Sequence, residues 1–155
     1  MRYLMPLLLC MMLTSCGSEN TSVDTEPIDY SQQNDNDIQA YIETNNIEAQ
    51  KSDSGLYYAI EEVGSGNRPE IMSDVTVAYK GYFLNEKVFD QSDANGITFN
   101  LQQVIKGWTE GITYFKEGGK GILFIPAHLG YGSFDANGIP GGSVLIFEID
   151  LISVN

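Results

Sequence analysis

A chain of 155 residues with 43% hydrophobic side chains is long enough for one domain with a true core and short for two. Its formal charge of −13 at pH 7 gives a surface that repels phosphate backbones, which argues against nucleic acid as a partner. The acids are unevenly placed, with nine against a single lysine from Gly17 to Asp53, and no internal repeat is present.

The chain opens on MRYLMPLLLCMMLTSC, with one basic residue, Arg2, ahead of an apolar run. At about a dozen residues that run is too short to span a bilayer and has the length of a secretory core. It ends in Leu13-Thr14-Ser15-Cys16, followed by Gly17, which resembles the bacterial lipobox. Residues 1–15 are therefore expected to be a lipoprotein signal peptide, with Cys16 lipidated on sulfur as the new N-terminus; an ordinary signal peptide with an incidental cysteine is the simpler alternative. The only other cysteine, Cys10, would leave with the signal, so no disulfide is expected. Residues 16–35 are polar and acidic and are expected to form a flexible tether, since they cannot bury enough surface to offset their ordering entropy. Asn36 or Asp37 then offers a cap for a short helix with Ile38, Tyr41 and Ile42 on one side; helix and linker together occupy 36–54 and close in QKSDSG.

From residue 55 to 155 the pattern is mainly that of strands. LYYAIEEVG (56–64) is a first candidate. DVTVAYKGYF (74–83) alternates, with Val75, Val77, Tyr79, Gly81 and Phe83 on one face. GILFIP (121–126) is a continuous apolar run, expected to be a central strand ended by Pro126. VLIFEIDLISV (144–154) places Leu145, Phe147, Ile149 and Leu151 inward and Glu148 and Asp150 outward. In this part of the chain one segment has helical spacing: Val104, Trp108, Ile112 and Phe115, with Gly118 as a natural stop. Gly107 and Gly111 share a face of it, and each costs about 1 kcal/mol relative to alanine, so a close backbone approach to a sheet is expected. The fold class that follows is α+β, a curved antiparallel sheet wrapped around one short helix.

Five segments in order, VAYKGYF, VFDQS, VIKGWTEGI, PAHLGYG and GIPGGSVLIFEIDLI, resemble the successive signatures of FKBP-type peptidyl-prolyl cis-trans isomerases over roughly residues 55–155. With the lipobox and acidic tether, the chain is similar to lipoprotein members of that family in Bacteroidetes-like bacteria, including those linked to gliding motility. The resemblance implies an aromatic pocket walled by Tyr79, Phe89 and Phe99 and floored by Trp108. It implies further that Val104 and Ile105 contact the ligand, the Ile105 backbone N–H facing it, that Ile139 and Phe147 complete the lining, and that Asp90 and Tyr131 supply the pocket carboxylate and the ligand-bonding hydroxyl as the catalytic pair. It also implies no cofactor or metal, proline-containing polypeptides as substrates, macrolides such as tacrolimus or rapamycin as possible ligands, and a monomer. The expected location is the bacterial cell envelope, lipid-anchored in the outer membrane and facing the periplasm.

Rotation about an X–Pro amide needs no nucleophile. The barrier is near 20 kcal/mol because the planar amide is conjugated, and the twisted transition state is less polar than the ground state. A dry aromatic site favours the twisted form. In such a site Asp90, if buried, has a raised pKa unless hydrogen bonds keep it charged, and its expected role is to polarise or orient the substrate carbonyl. Without the family pattern, Tyr79, Phe99 and Phe147 read simply as core residues and Asp90 as a turn or surface carboxylate. His128 is the lone histidine and reads as a loop residue, which leaves no metal site.

The chain departs from the family where Ile139-Pro140-Gly141-Gly142 stands in place of the usual Ile-Pro-Pro and a polar residue. Two glycines there are expected to loosen the loop over the pocket. Gln91 replaces a common serine, and Asn95 stands where some members have a basic residue. An isomerase acting on exported proteins is the reading these residues carry. A non-catalytic proline-binding chaperone or assembly factor of an envelope or motility complex is the alternative, kept open by Gly141 and Gly142, and a purely structural lipoprotein is a third.

Overall fold

Apolar alternation in the longest segments, and a continuous apolar run at residues 121–125, are realised as strands. The computed structural model describes residues 26–155, so the signal peptide, Cys16 and the first part of the tether lie outside the described residues. In chain order the elements are α1 (Ser31–Thr44), β1 (Gln50–Lys51), β2 (Tyr57–Glu62), β3 (Asp74–Tyr82), β4 (Val88–Gln91), β5 (Ile97–Asn100), α2 (Lys106–Gly111), β6 (Gly119–Ile125) and β7 (Leu145–Val154). The strands form one antiparallel sheet in the order β1-β2-β6-β7-β3-β4, and β5 also pairs with β3. No described helix is long and apolar enough to cross a membrane.

Two long strands make the spine. In β3 and β7, Val77 lies opposite Leu151, Tyr79 opposite Ile149 and Gly81 opposite Phe147, so the inward residues of both strands meet on one face. The free edge of β3 is shared: β4 covers its Lys80–Tyr82 end and β5 its Asp74–Val77 end. Between them the chain bends away at Asp93–Gly96, and Ser92 holds Tyr79 from both sides (Ser92 N–H to Tyr79 O, 3.0 Å; Tyr79 N–H to Ser92 Oγ, 2.9 Å). A mid-strand residue with a gap in its neighbouring strand is a natural rim for a cavity.

The short helix sits inside the curve of the sheet. It is shorter than the apolar spacing suggested, because Ile105 is extended (φ −62°, ψ 150°) and the helix begins only at Lys106, leaving Val104 ahead of it; a 3-10 turn continues the helix over Ile112–Tyr114. Gly107 and Gly111 have the packing reason expected of them. A Cβ built on Gly107 would lie 2.5 Å from Ile125 Cγ2, and one on Gly111 2.7 Å from Leu123 Cδ1. The helix backbone is thus pressed directly onto β6, and Trp108, Ile112 and Phe115 complete the core on that face.

The N-terminal helix starts earlier than its sequence signals indicate. Ser31–Asp35, expected in the tether, form its first turn, and neither Asn36 nor Asp37 caps it. The residue preceding it, Tyr30, gives no side-chain cap, so local capping does not set the start. Tertiary contact sets it instead. Asn34 is 2% exposed and Ile38 fully buried, and Ile38 joins Tyr57, Tyr82, Phe124, Val144 and Ile146 in a second apolar cluster on the outer face of the sheet. This explains why Tyr82 and Ile146, which alternate onto the outward face, are nonetheless buried.

Asp35 anchors the same helix. Its carboxylate accepts hydrogen bonds from Lys51 Nζ (2.6 Å), the Tyr57 hydroxyl (2.8 Å) and Gln39 Nε2 (2.9 Å). The Lys51 bond first, then that of Tyr57, holds the Asp35 carboxyl below its ordinary value of 3.8. A lowered folded-state pKa contributes stability that is present above the unfolded value and is lost as pH falls through the folded one. The thermal midpoint should therefore fall below pH 3.8, and less steeply in Asp35→Asn, which has no such proton to take up. Parallel slopes for the two proteins in a pH series of melting curves would show that the contact contributes nothing.

Candidate active site

A concave cavity of ≈430 Å³ opens where the β3 edge, the β5–α2 loop and the loop before β7 converge, within the size range of small-ligand sites. Tyr79, Asp90, Phe99, Gln103, Val104, Ile105, Trp108, Tyr131 and Phe147 line it. Trp108 is its floor, 4% exposed, and three rings meet the indole nearly at right angles: Tyr79 (5.1 Å between centroids, 88°), Phe99 (5.4 Å, 82°) and Phe147 (5.3 Å, 82°). Edge-to-face contacts of this kind favour a rigid box, since each ring's positive edge meets a negative face. The indole Nε1 is buried without a hydrogen-bond partner among the described residues.

Backbone geometry opens the box on one side. Ile105 stands immediately before the first turn of α2, where N–H groups have no intrahelical partner, and its extended backbone turns Val104 and Ile105 to the cavity. Gln103 was not marked by any periodicity. It reaches the cavity because the Asn100–Gln103 turn (Gln103 N–H to Asn100 O, 2.9 Å) folds the loop over the floor, and a polar loop residue carries no sequence signal for that.

Two residues expected in the lining, Phe89 and Ile139, are not among those that line this cavity. Phe89 is half-buried and packs edge-on against Phe147 (5.5 Å, 87°) and beside Phe83 (4.9 Å), so it supports the Phe147 wall. Gly81 makes room for this pair, since a Cβ there would lie 2.8 Å from both Phe147 Cε1 and Phe89 Cζ. Ile139 is 6% exposed in the core and bridges to Ala136 at the base of the loop.

The carboxylate expected at the pocket lines the cavity, on its exposed side. Asp90 is exposed at the cavity mouth, because β4 is an edge strand paired only with β3. There its Oδ2 accepts a hydrogen bond from the Tyr79 hydroxyl at 2.8 Å. Burial, followed by that bond and the Asp90 charge, pushes the Tyr79 phenol up to about 12, so it remains a donor throughout the physiological range. Tyr131, 39% exposed, presents the second hydroxyl across the mouth.

The glycines before β7 are not slack. Gly142 adopts φ +77° with the Tyr30 ring directly over it, and a Cβ on Gly141 would strike the Ser133 carbonyl. Glycine is required at Gly142 both for its left-handed backbone and for the close approach of a ring. The expected loosening of the loop is replaced by tight packing.

The model for the family described as FKBP-type peptidyl-prolyl cis-trans isomerase matches residues 66–152. The chain belongs to that family. Among its relatives, the FKBP-type peptidyl-prolyl cis-trans isomerase FkpA of Buchnera aphidicola (subsp. Acyrthosiphon pisum) is 44% identical over 106 residues, 67% of this chain and 44% of that one. The crystal structure of FkpA from Escherichia coli superposes with a TM-score of 0.72 at 37% identity, covering 81% of this chain and 61% of that one. The crystal structure of AtFKBP13 gives 0.64 at 35% identity, covering 70% of this chain and 99% of that one. The chain spans less than half the length of the curated FKBP-type relatives it matches. The FKBP-like curved antiparallel sheet is therefore the fold of the described domain.

Proposed function

We propose that the chain is a peptidyl-prolyl cis-trans isomerase that accelerates X–Pro rotation in exported polypeptides. The observation that carries this is the Trp108 floor boxed by Tyr79, Phe99 and Phe147, with one carboxylate and two hydroxyls confined to the mouth. A prolyl ring laid on the indole leaves water, and the planar amide loses the hydration that favours it over the twisted state. Tyr131 holds a substrate carbonyl by its hydroxyl, and the Ile105 N–H holds a second. Asp90 orients the reacting carbonyl through its charge and through Tyr79, with no proton transferred and no covalent bond formed. Macrolides such as tacrolimus or rapamycin are proposed as further ligands of the same floor.

The lipobox and acidic tether support a location on the envelope, with Cys16 carrying the lipid in the outer membrane and the domain in the periplasm. A mature N-terminus with the mass of lipidated Cys16 is expected; an unmodified one beginning elsewhere contradicts the anchor. Activity is tested on a client whose refolding is limited by one X–Pro isomerisation. The full chain at a tenth of the client's concentration is expected to speed the slow phase, and Asp90→Ala to do so less well. An unchanged slow phase with improved yield alone would mark a binding chaperone instead.

A further inference from the structure

The loop that carries Tyr131 is held from a distant part of the chain. Asn34, in the first turn of α1, is the one buried amide or charged side chain among the described residues. Its Nδ2 donates to the Gly142 carbonyl at 2.9 Å, and its Oδ1 accepts from the Ala127 N–H at 2.8 Å. One amide thereby clasps both ends of the 127–142 loop, and each of its atoms faces the group it needs. Two further contacts come from the same segment. The Ser133 hydroxyl donates to the Ile28 carbonyl at 2.6 Å, and the Tyr30 ring covers Gly142.

The clasp continues inward to the site. Gly142 N–H donates to the Gly132 carbonyl at 2.9 Å, and Gly132 N–H to the Ala127 carbonyl at 2.8 Å. Gly132 adjoins Tyr131. A short, continuous set of contacts therefore runs from Asn34 through Gly142 and Gly132 to the hydroxyl-bearing residue at the cavity mouth. The glycine at 142, a departure from the family's usual polar residue, is the seat on which Tyr30 rests.

We propose that the segment Ile28–Asn34 is a strap that positions Tyr131 over the prolyl site, with Asn34 and Gly142 as positioning residues. Substrate affinity then depends on residues that touch no substrate, and the stretch joining the tether to the domain is part of the site's architecture. The proposal rests on the reading of the cavity as a prolyl site. Its physical basis is that a loop tied at both ends loses its alternative conformations before substrate arrives, so less ordering remains to be done on binding.

The test uses the full chain with Asn34→Asp, which keeps the acceptor for Ala127 but sets an oxygen against the Gly142 carbonyl. Ile38→Val, in the same helix but outside the Ile28–Asn34 strap, is the control, compared at temperatures equally far below each thermal midpoint. Amide hydrogen exchange at Gly132 and Gly142 reads the strap without any need for catalysis. It is expected to quicken by about tenfold in Asn34→Asp, the loss of roughly one hydrogen bond, and to stay unchanged in the control. For a Leu-Pro peptide, KM should rise about fivefold with kcat within about twofold, as for lost positioning of the bound ground state. Ser133→Ala, at a half-buried site, gives the same directions more weakly and serves if Asn34→Asp does not fold. Equal exchange in variant and control overturns the strap. Faster exchange with unaltered KM overturns the positioning of Tyr131. If the wild-type chain proves inactive, the catalytic reading fails by itself, and peptide Kd replaces KM in the same comparison.

Discussion

Trp108→Phe is expected to lower kcat/KM for a short Leu-Pro peptide about tenfold while the protein remains folded, and Trp108→Ala about a hundredfold. The reasoning starts from surface. Burial of a prolyl ring on an aromatic floor is worth roughly 1.5–3 kcal/mol, and about 1.4 kcal/mol corresponds to a factor of ten. Phenylalanine keeps a ring among Tyr79, Phe99 and Phe147 but covers less of the floor; alanine removes it. Stability should separate the two variants further. Since Nε1 has no partner among the described residues, Trp108→Phe breaks no hydrogen bond within them and removes a buried donor, which offsets part of the lost packing. Trp108→Ala opens a cavity beneath three rings, at a cost of about 3–5 kcal/mol. Steady-state kinetics beside melting curves checks both. A folded Trp108→Phe with kcat/KM within about twofold of wild type would show that the indole is not the floor on which turnover depends.

Gly107→Ala is expected to destabilise the protein by about 1–2 kcal/mol, although alanine is the better helix former. Helix propensity alone favours the change by about 1 kcal/mol. Against it, the new Cβ would lie 2.5 Å from Ile125 Cγ2, 2.8 Å from Cδ1 and 2.9 Å from Cγ1, and Ile125 is fully buried with no room to swing aside. Overpacking of this kind costs about 1–3 kcal/mol, and here it exceeds the propensity gain. Gly111→Ala meets Leu123 in the same manner, at 2.7 and 2.8 Å. Because Trp108 lies between the two glycines on this short helix, lifting the helix from β6 also displaces the floor, so activity should fall with stability. Denaturant melts of both variants give the answer. A stabilised Gly107→Ala would mean that β6 yields and that the close approach is not a constraint.

Much of this fold could be read from particular residues. The alternation in β3 and β7 and the apolar run of β6 are strand signals that survive because each strand has a single register burying its apolar set. The two glycines of α2 announced a close approach that their propensity alone made unfavourable. Strands β4 and β5 carry little signal of their own, being four residues each with no buried position, and pairing to β3 is their reason to be extended. The start of α1 is hidden in the sequence because Asn34 looks like a tether residue until its partners, Gly142 and Ala127, are known; they lie 108 and 93 positions away. Distance along the chain also explains the site. Trp108, Tyr79 and Phe147 were legible through the family pattern, whereas Gln103 entered through a turn. Phe89 and Ile139 support the lining and Asp90 stands exposed at the mouth, because edge pairing and loop packing decide exposure and neither has a periodicity.

The measurement that bears most directly on the central claim is the cis–trans exchange rate of a Leu-Pro peptide, by NMR exchange spectroscopy, with the full chain present at catalytic amounts. Uncatalysed exchange takes tens of seconds. The account predicts exchange faster than that, in proportion to enzyme concentration and abolished by a saturating proline-site ligand. Line broadening from binding with an unchanged exchange rate would contradict it, and would make Trp108 the floor of a site that holds proline without turning it.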